Sequence, residues 1–296
     1  MKLFKMDYWR SAILHAPFEQ IIRQNGLDDI EMTFLPSCGN NGFLADPFGL
    51  WRDGKLYVFA EYYDYHQSKG VIDVLIYDET FTLLEHRTVL KEDWHLSYPY
   101  VFQHEGVTYM LPEGYKSDRL TLYKARSFPY EWEKVSSFVF PIGAIDATPL
   151  YHAGRWWLFW TPPEPKTCRQ STLHIALAEE LTGPWCDLGR FLIDKSGARP
   201  GGTPFVEGGD VFLPVQDCSV TYGGGLRFLH LSGFEKGRPV LCGGEAVPLH
   251  TPILKDYPDG MHTLSAAGKV TLVDFKKIRH GLRPAFFKLK KELLKR

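Results

Sequence analysis

The chain has 296 residues, a formal net charge of −1, 15% aromatic residues, 27 Gly and 20 Pro. That length suits one large all-β domain or two smaller ones, and the near-neutral charge predicts no polyanionic partner, nucleic acid included. The five cysteines, Cys38, Cys168, Cys186, Cys218 and Cys242, form no CxxC pair, which argues against a disulfide framework and a zinc centre.

The N-terminal stretch MKLFKMDYWRSAILHAPFEQ has no apolar run of signal-peptide length and no small-residue cleavage site. Nothing approaches the roughly 20 apolar residues of a membrane span, so the expected compartment is the cytosol. Residues 8–17 read as a strand. Residues 17–26 read as a short helix ending at Gly26, with Glu19 and Gln20 in its first turn, and residues 30–36 as another strand.

At Phe43 a pattern begins that returns about every fifty residues. Its copies are FLADPFGLWRDGKLYVFAE (43–61), SYPYVFQHEGVTYMLPEG (97–114), IDATPLYHAGRWWLFWTP (145–162), GGTPFVEGGDVFLPVQD (201–217) and GMHTLSAAGKVTLVDF (260–275). The prolines fall at Pro47, Pro99, Pro149 and Pro204, and the turn glycines at Gly54, Gly106, Gly154, Gly209 and Gly268. Seven residues past the first four glycines stand Glu61, Glu113, Thr161 and Gln216. Strand–turn–strand units at this period predict an all-β, five-bladed β-propeller. The expected blades are 43–90, 95–140, 145–193, 199–247, and 260–275 completed by the N-terminal strands within 8–36. The propeller would thus occupy residues 1–275.

In such a blade the start of the first strand and the end of the second lie at one rim. Asp46, Asp146 and His262 sit at starts; Glu61, Glu113 and Asp217 sit at or just past ends. The alternative for each carboxylate is a blade-corner group that accepts backbone N–H bonds. The segment 62–70 carries three tyrosines with Asp64 and His66. Aromatics beside carboxylates suit a sugar site, although tyrosines could equally cover a blade edge. Trp156 and Trp157 are expected in the core between blades. Segment 161–171 brings Glu164, Lys166 and Arg169 to the same rim. Arg199 offers a donor fork for a carboxylate or phosphate. Residues 216–228 add Tyr222 beside a glycine run that lacks the lysine and helix of a phosphate loop. Carboxylates around the channel could hold Ca²⁺, but no ligand spacing demands a metal.

Residues 276–296 hold nine Lys/Arg against one acid, Glu292, so the segment carries 9 − 1 = +8 and the body −1 − 8 = −9. After Pro284 a short basic amphipathic helix is expected, suited to an inner-membrane surface or to the acidic body itself.

ADPF at Asp46, on a strand followed by one ending FAE, resembles the five-bladed glycosidase-like propellers acting on arabinofuranosides, xylosides and fructosides. That resemblance implies a catalytic base or nucleophile at Asp46. Blade two opens Ser97-Tyr98-Pro99, so the second Asp and the general-acid Glu of those families do not carry over by position. ADPF, FAE, LSYPYVF, YMLPE, D-x-T-P with GRWWLF, ARPGG, QDCS-x-x-YG and MHTL together are similar to the domain at the N-terminal end of glucosamine inositolphosphorylceramide transferases and in bacterial surface-polysaccharide clusters. The likeness spans about residues 40–275. It implies a carbohydrate-active protein, with glycosyl transfer preferred and a furanosidase-like hydrolase or a glycan-binding module as alternatives. Asp46 would be base or nucleophile, Glu113 the acid, and Asp146 the group that tunes them or holds a sugar hydroxyl. Glu61, Tyr98, Arg199, Asp217, Tyr222 and His262 would contact a sugar or nucleotide sugar, with a glycan or lipid-linked acceptor.

Overall fold

A computed structural model of the chain describes residues 5–24, 26–27, 29–247, 255–282 and 284–287. Apart from the helix α1 (Phe18–Gln24) and short single-turn helices, the described elements are strands. β1 (Lys5–Leu14) and β2 (Met32–Phe34) flank α1. Four antiparallel runs follow: β3 (Gly42–Arg52), β4 (Lys55–Asp64), β5 (Lys69–Tyr77) and β6 (Leu83–Leu90), then β7 (Ser97–His104), β8 (Val107–Glu113), β9 (Tyr123–Ser127) and β10 (Glu131–Lys134). The third run is β11 (Ile145–His152), β12 (Arg155–Thr161), β13 (Thr172–Ala178) and β14 (Cys186–Ile193). The fourth is β15 (Arg199–Pro200), β16 (Phe205–Glu207), β17 (Asp210–Asp217), β18 (Gly225–Ser232) and β19 (Val240–Val247), and β20 (Leu264–Ala267) and β21 (Val270–His280) end the strand order.

β1 pairs antiparallel with β21 over ten residues, from Lys5 opposite His280 to Leu14 opposite Thr271, and β2 pairs with β1. The N-terminal strands therefore extend the C-terminal hairpin, which removes the open edges that both ends of the chain would otherwise present. One parallel pair, Arg10 with Leu44, joins this run to β3–β6 in a single hydrogen-bonded sheet. β21 also corrects the expected limit at residue 275. It runs on to His280, with Lys276 buried and Lys277 exposed, as strand alternation requires. The rest of the expected basic tail is described only through residue 287, and residues 288–296 lie outside the described set. No helix among the described residues is long and apolar enough to cross a membrane.

The core lies between the runs. Trp156 and Trp160 pack with Phe48, Tyr98 and Met110, whereas Trp157 and Phe159 on the opposite face of β12 pack with Leu213 and Phe234. Both faces of β12 are covered, which is why it reads RWWLFWT rather than alternating with polar residues. Trp156 and Trp157 are core residues, as expected. α1 buries Phe18 and Ile21, and Phe18 meets Phe205 and Phe228 edge-on.

Candidate functional site

The repeat becomes chemistry through one backbone device. In β3, β7 and β11 the ladder slips by one residue, between Ala45 and Phe48, Ser97 and Tyr100, and Ile145 and Thr148. Each slip contains a residue with positive φ: Asp46 at 49°, Tyr98 at 45° and Asp146 at 48°. A left-handed non-glycine residue costs on the order of 1–3 kcal/mol, and bulges recur where a side chain must be re-aimed. Opposite the slips stand Glu61, Glu113 and Thr161. In the first two runs the motif thereby brings Asp46, Glu61 and Glu113 to one place.

That place is a cavity of about 720 Å³ lined by Asp46, Glu61, Glu113, Arg199, Tyr222 and His262, together with Trp9, Tyr63, Tyr65 and His95. All three carboxylates are buried. Burial, first, raises each carboxyl: Asp46 moves from 3.8 to about 6 and Glu113 from 4.5 to about 7, while Glu61 rises well above its ordinary value. The neighbouring carboxylates push the same way. His262 next to Asp46, and Arg199 next to Glu113, oppose the rise. The outcome is a cluster of carboxyls all held above the usual carboxylate range.

Each carboxyl is held. Asp46 accepts a 2.6 Å bond from the Thr263 hydroxyl and a 3.2 Å bond from the Tyr98 N–H. Glu113 accepts from the Tyr115 N–H and the Ser97 hydroxyl, at 3.3 and 3.4 Å. The His95 Nδ1 accepts from the Gly70 N–H, which places its proton on Nε2, 3.5 Å from Glu61. Only glycine fits at position 70: a Cβ there would stand 2.7 Å from the Glu61 Oε1 and 2.3 Å from the Leu96 carbonyl.

Asp274 organises the other wall. It is fully buried, and its carboxylate accepts from the backbone N–H groups of Asp46, His262 and Thr263 at 2.9, 3.0 and 3.0 Å, and from His262 Nδ1 at 2.7 Å. One side chain thus fixes the Asp46 bulge and orients the histidine. The His262 ring stacks on Trp9 with centroids 3.6 Å apart. Burial alone would lower its pKa, but the Asp274 and Asp46 carboxylates outweigh burial and raise it. Behind Trp9, the buried Lys276 donates to the Thr221 hydroxyl and the Tyr222 carbonyl, pinning the loop that carries Tyr222.

Asp146 is near the cavity but does not line it. Arg199 donates to both its oxygens, at 2.6 and 3.2 Å, and Gln216 donates at 2.7 Å. Its charge raises the pKa of Asp46 and Glu113, and its burial outside the cavity lining fits a tuning group rather than a contact to a sugar hydroxyl. Two further expectations are corrected. The Tyr98 hydroxyl is buried, bonded to the Thr148 hydroxyl at 2.9 Å and the Gly202 N–H at 2.7 Å, because its ring extends past the cavity into the core. Asp217 faces away from the cavity and accepts from the Ser219 N–H at 2.8 Å, because it follows Gln216 by one residue and strand neighbours point to opposite faces. Of the 62–70 tyrosines, Tyr63 and Tyr65 line the cavity and Tyr62 packs against the hydrophobic core.

A smaller cavity of about 320 Å³ adjoins the first, sharing Glu113, His95, Arg199 and Tyr222 and adding Arg169 and Lys116. Arg169 stacks over Tyr115 and pairs with Glu164. Asp46, His262 and Asp274 bring their ligand atoms within 4.8 Å of one another. Those atoms already hold hydrogen bonds: each Asp274 oxygen accepts two donors, and His262 Nδ1 faces Asp274. The set does not suit Ca²⁺, which takes six to eight oxygen ligands.

Trp9, His95 and Asp274 were not reached from the sequence. Trp9 and His95 lie outside the repeat, and Asp274 stands six residues past Gly268 where the other copies place their polar group at seven.

Among solved structures the fold is similar to a family 117 glycoside hydrolase from Zobellia galactanivorans (TM-score 0.54, 13% identity, covering 93% of this chain and 91% of that one). It is also similar to an α-L-arabinofuranosidase from Podospora anserina (TM-score 0.56, 8% identity, 79% and 81% covered). At these identities the likeness shows a β-propeller fold and nothing about substrate. The chain is 35% identical over 248 residues to glucosamine inositolphosphorylceramide transferase 1 of Oryza sativa subsp. indica, and 31% identical over 210 residues to that of Arabidopsis thaliana. Those alignments take in 78% and 69% of this chain, and they span only 33% and 27% of the length of these relatives. The family model "Glucosamine inositolphosphorylceramide transferase 1, N-terminal" matches residues 33–238, and the chain belongs to that family.

Proposed function

We propose that the chain is a five-bladed propeller whose central cavity carries out glycosyl transfer in the assembly of a cell-surface polysaccharide or glycolipid. The observation that supports this reading is the gathering of three buried carboxyls, Asp46, Glu61 and Glu113, in one cavity. Burial among like charges raises all three carboxyls, which lets a proton stay on one of them near neutral pH while another is ionised, the division of labour that acid–base glycosyl chemistry needs.

In the proposed step the bond from the anomeric carbon to the leaving oxygen breaks. Glu113 gives that oxygen its proton. Asp46 takes the proton of the acceptor hydroxyl as its oxygen bonds to the anomeric carbon, or Asp46 attacks that carbon itself and the acceptor hydroxyl then displaces it, giving its proton to the Glu113 carboxylate. Tyr63, Tyr65 and Trp9 offer apolar faces to the sugar, and Arg199, Arg169 and Lys116 offer cationic edges to a donor phosphate. Asp146, itself held by Gln216, orients Arg199 rather than meeting substrate.

The propeller would close at His280, and the residues beyond it would be the basic tail. Pro284 and Phe287 line the cavity. A tail lying on the inner face of a membrane would therefore set the cavity mouth at that surface, where lipid-linked acceptors are built, on a protein otherwise in the cytoplasm. Hydrolysis is a second reading, supported by the glycosidase-like fold, with water in place of the acceptor.

The test is Asp46→Asn and Glu113→Gln, each purified and each expressed in cells lacking the wild-type gene. Loss of glycan synthesis and of transfer to an added sugar acceptor supports the proposal. Glycan synthesis at the wild-type level in both variants rejects it, and release of free sugar without transfer moves the assignment to hydrolysis.

A further inference from the structure

On the opposite face of the β1–β21 pair lies a third cavity, of about 390 Å³, sharing no lining residue with the carboxylate site. Antiparallel register places Tyr8 opposite Lys277, Met6 opposite Arg279 and Arg10 opposite Phe275, so Tyr8, Arg10, Lys277 and Arg279 share one face of the sheet. Phe34 and Tyr257 supply the rest of an aromatic floor. Arg279 lies 3.4 Å over the Tyr8 ring, and Arg10 lies 5.5 Å over Phe34. Three cations thus line one cavity against a single carboxylate, Asp256, a surplus of two positive charges.

The cations lack partners of opposite sign. Among the described residues no carboxylate lies within ion-pair distance of Arg10, Lys277 or Arg279; Arg279 donates only to the neutral Asn40 side chain, at 3.1 Å. Arg10 is the most telling. Its Nη1 is sealed from solvent with no hydrogen-bond partner, and the Tyr77 hydroxyl, within its electrostatic reach, is likewise buried and unbonded. A guanidinium taken partly out of water without a counter-charge is costly unless something supplies that charge.

We propose that this cavity is an anion site for a phosphate monoester carried on a compact body that rests on the aromatic floor. Two guanidinium forks and one ammonium ask for more acceptor oxygens and more charge than a carboxylate offers, and a phosphate monoester supplies three oxygens and close to two charges. The same headgroup chemistry occurs in a soluble sugar phosphate and in a phosphatidic acid surface.

The experiment titrates the full chain with inorganic phosphate and glucose 1-phosphate, followed by phosphorus NMR line broadening. In parallel it measures co-sedimentation with phosphatidylcholine vesicles with and without phosphatidic acid. The variants are Arg10→Gln and the double substitution Lys277→Gln with Arg279→Gln. The double variant touches two surface side chains and keeps the test alive if Arg10→Gln does not fold. All chains keep the basic C-terminal segment, so a difference between them reports the cavity. Binding of the soluble phosphates that weakens about tenfold or more in the variants supports the site and names a small-molecule ligand. Binding only to phosphatidic acid vesicles, weakened to the same degree, supports the site and names a lipid. Absence of binding in both arms, or binding equal in wild type and variants, overturns it.

Discussion

Replacing Glu113 by glutamine should make the protein more stable at alkaline pH, although it removes a buried polar contact of the candidate site. The Glu113 carboxyl moves from 4.5 to about 7 in the folded chain, chiefly by burial and then by the charge of Asp146. The folded state therefore keeps a proton that the unfolded chain has already lost. Stability that depends on this proton is complete below about pH 4.5 and is lost as pH rises through about 7. At ~1.4 kcal/mol per pH unit the loss amounts to about 3 kcal/mol by pH 8. Glutamine never ionises. Its carbonyl can still accept from the Tyr115 N–H, and its amide can donate to the Ser97 hydroxyl. We expect Glu113→Gln to match the wild type at about pH 4 and to exceed it by about 2–3 kcal/mol at pH 8. At ~2–4 °C per kcal/mol for a large domain, that is a Tm gain of roughly 5–10 °C. Urea denaturation across the pH range, with Tm measured alongside, reads it. A variant less stable than wild type at pH 8, or a gain independent of pH, would refute the assignment of Glu113 as a carboxyl raised by burial among like charges.

Three further outcomes follow from the same geometry. Asp274→Asn turns one of two acceptor oxygens into a donor facing two donors, and should cost about 2–4 kcal/mol with loss of hydrogen-exchange protection at the Asp46 or the His262 and Thr263 amides, whereas Asp217→Asn should change stability by less than about 0.5 kcal/mol. Arg199→Met leaves the Asp146 carboxylate buried with only Gln216 beside it, and should cost about 3–5 kcal/mol by denaturant titration. Tyr98→Phe removes a hydroxyl shared by Thr148 and Gly202 and should lower stability by about 1–3 kcal/mol while leaving the affinity for any sugar ligand unchanged.

The residues legible in the sequence were those that the repeat itself carries. Asp46, Glu61 and Glu113 meet because each of the first three copies combines a bulge at a fixed distance from its turn glycine with a polar residue seven positions past it. The spacing alone should have favoured Gln216 over Asp217, since period-two alternation turns adjacent strand residues to opposite faces. Tyr98 shows the limit of the pattern: it occupies the same bulge position as Asp46 and Asp146, but ring size carries its hydroxyl into the core. The Asp146 lock depends on bringing together residues 53 positions apart in sequence, which no local pattern encodes. Asp274 is one residue out of step with the repeat, and Trp9 reaches the site only because β1 returns to pair with β21. Basic composition groups 276–280 with the C-terminal tail, yet the strand period puts Lys276 inside and Lys277 outside.

The most direct test of glycosyl transfer in the central cavity is a binding and turnover measurement on one set of ligands. Nucleotide sugars and free pentoses and hexoses would be titrated against wild type, Asp46→Asn and Glu113→Gln, with protein-observed NMR locating the contacts and product analysis following each complex. The account predicts a nucleotide sugar seated beside Asp46 and Glu113, bound by all three proteins and turned over, with an acceptor, only by the wild type. Failure of every nucleotide sugar and free sugar to perturb the cavity residues, or equal turnover by the three proteins, would contradict it.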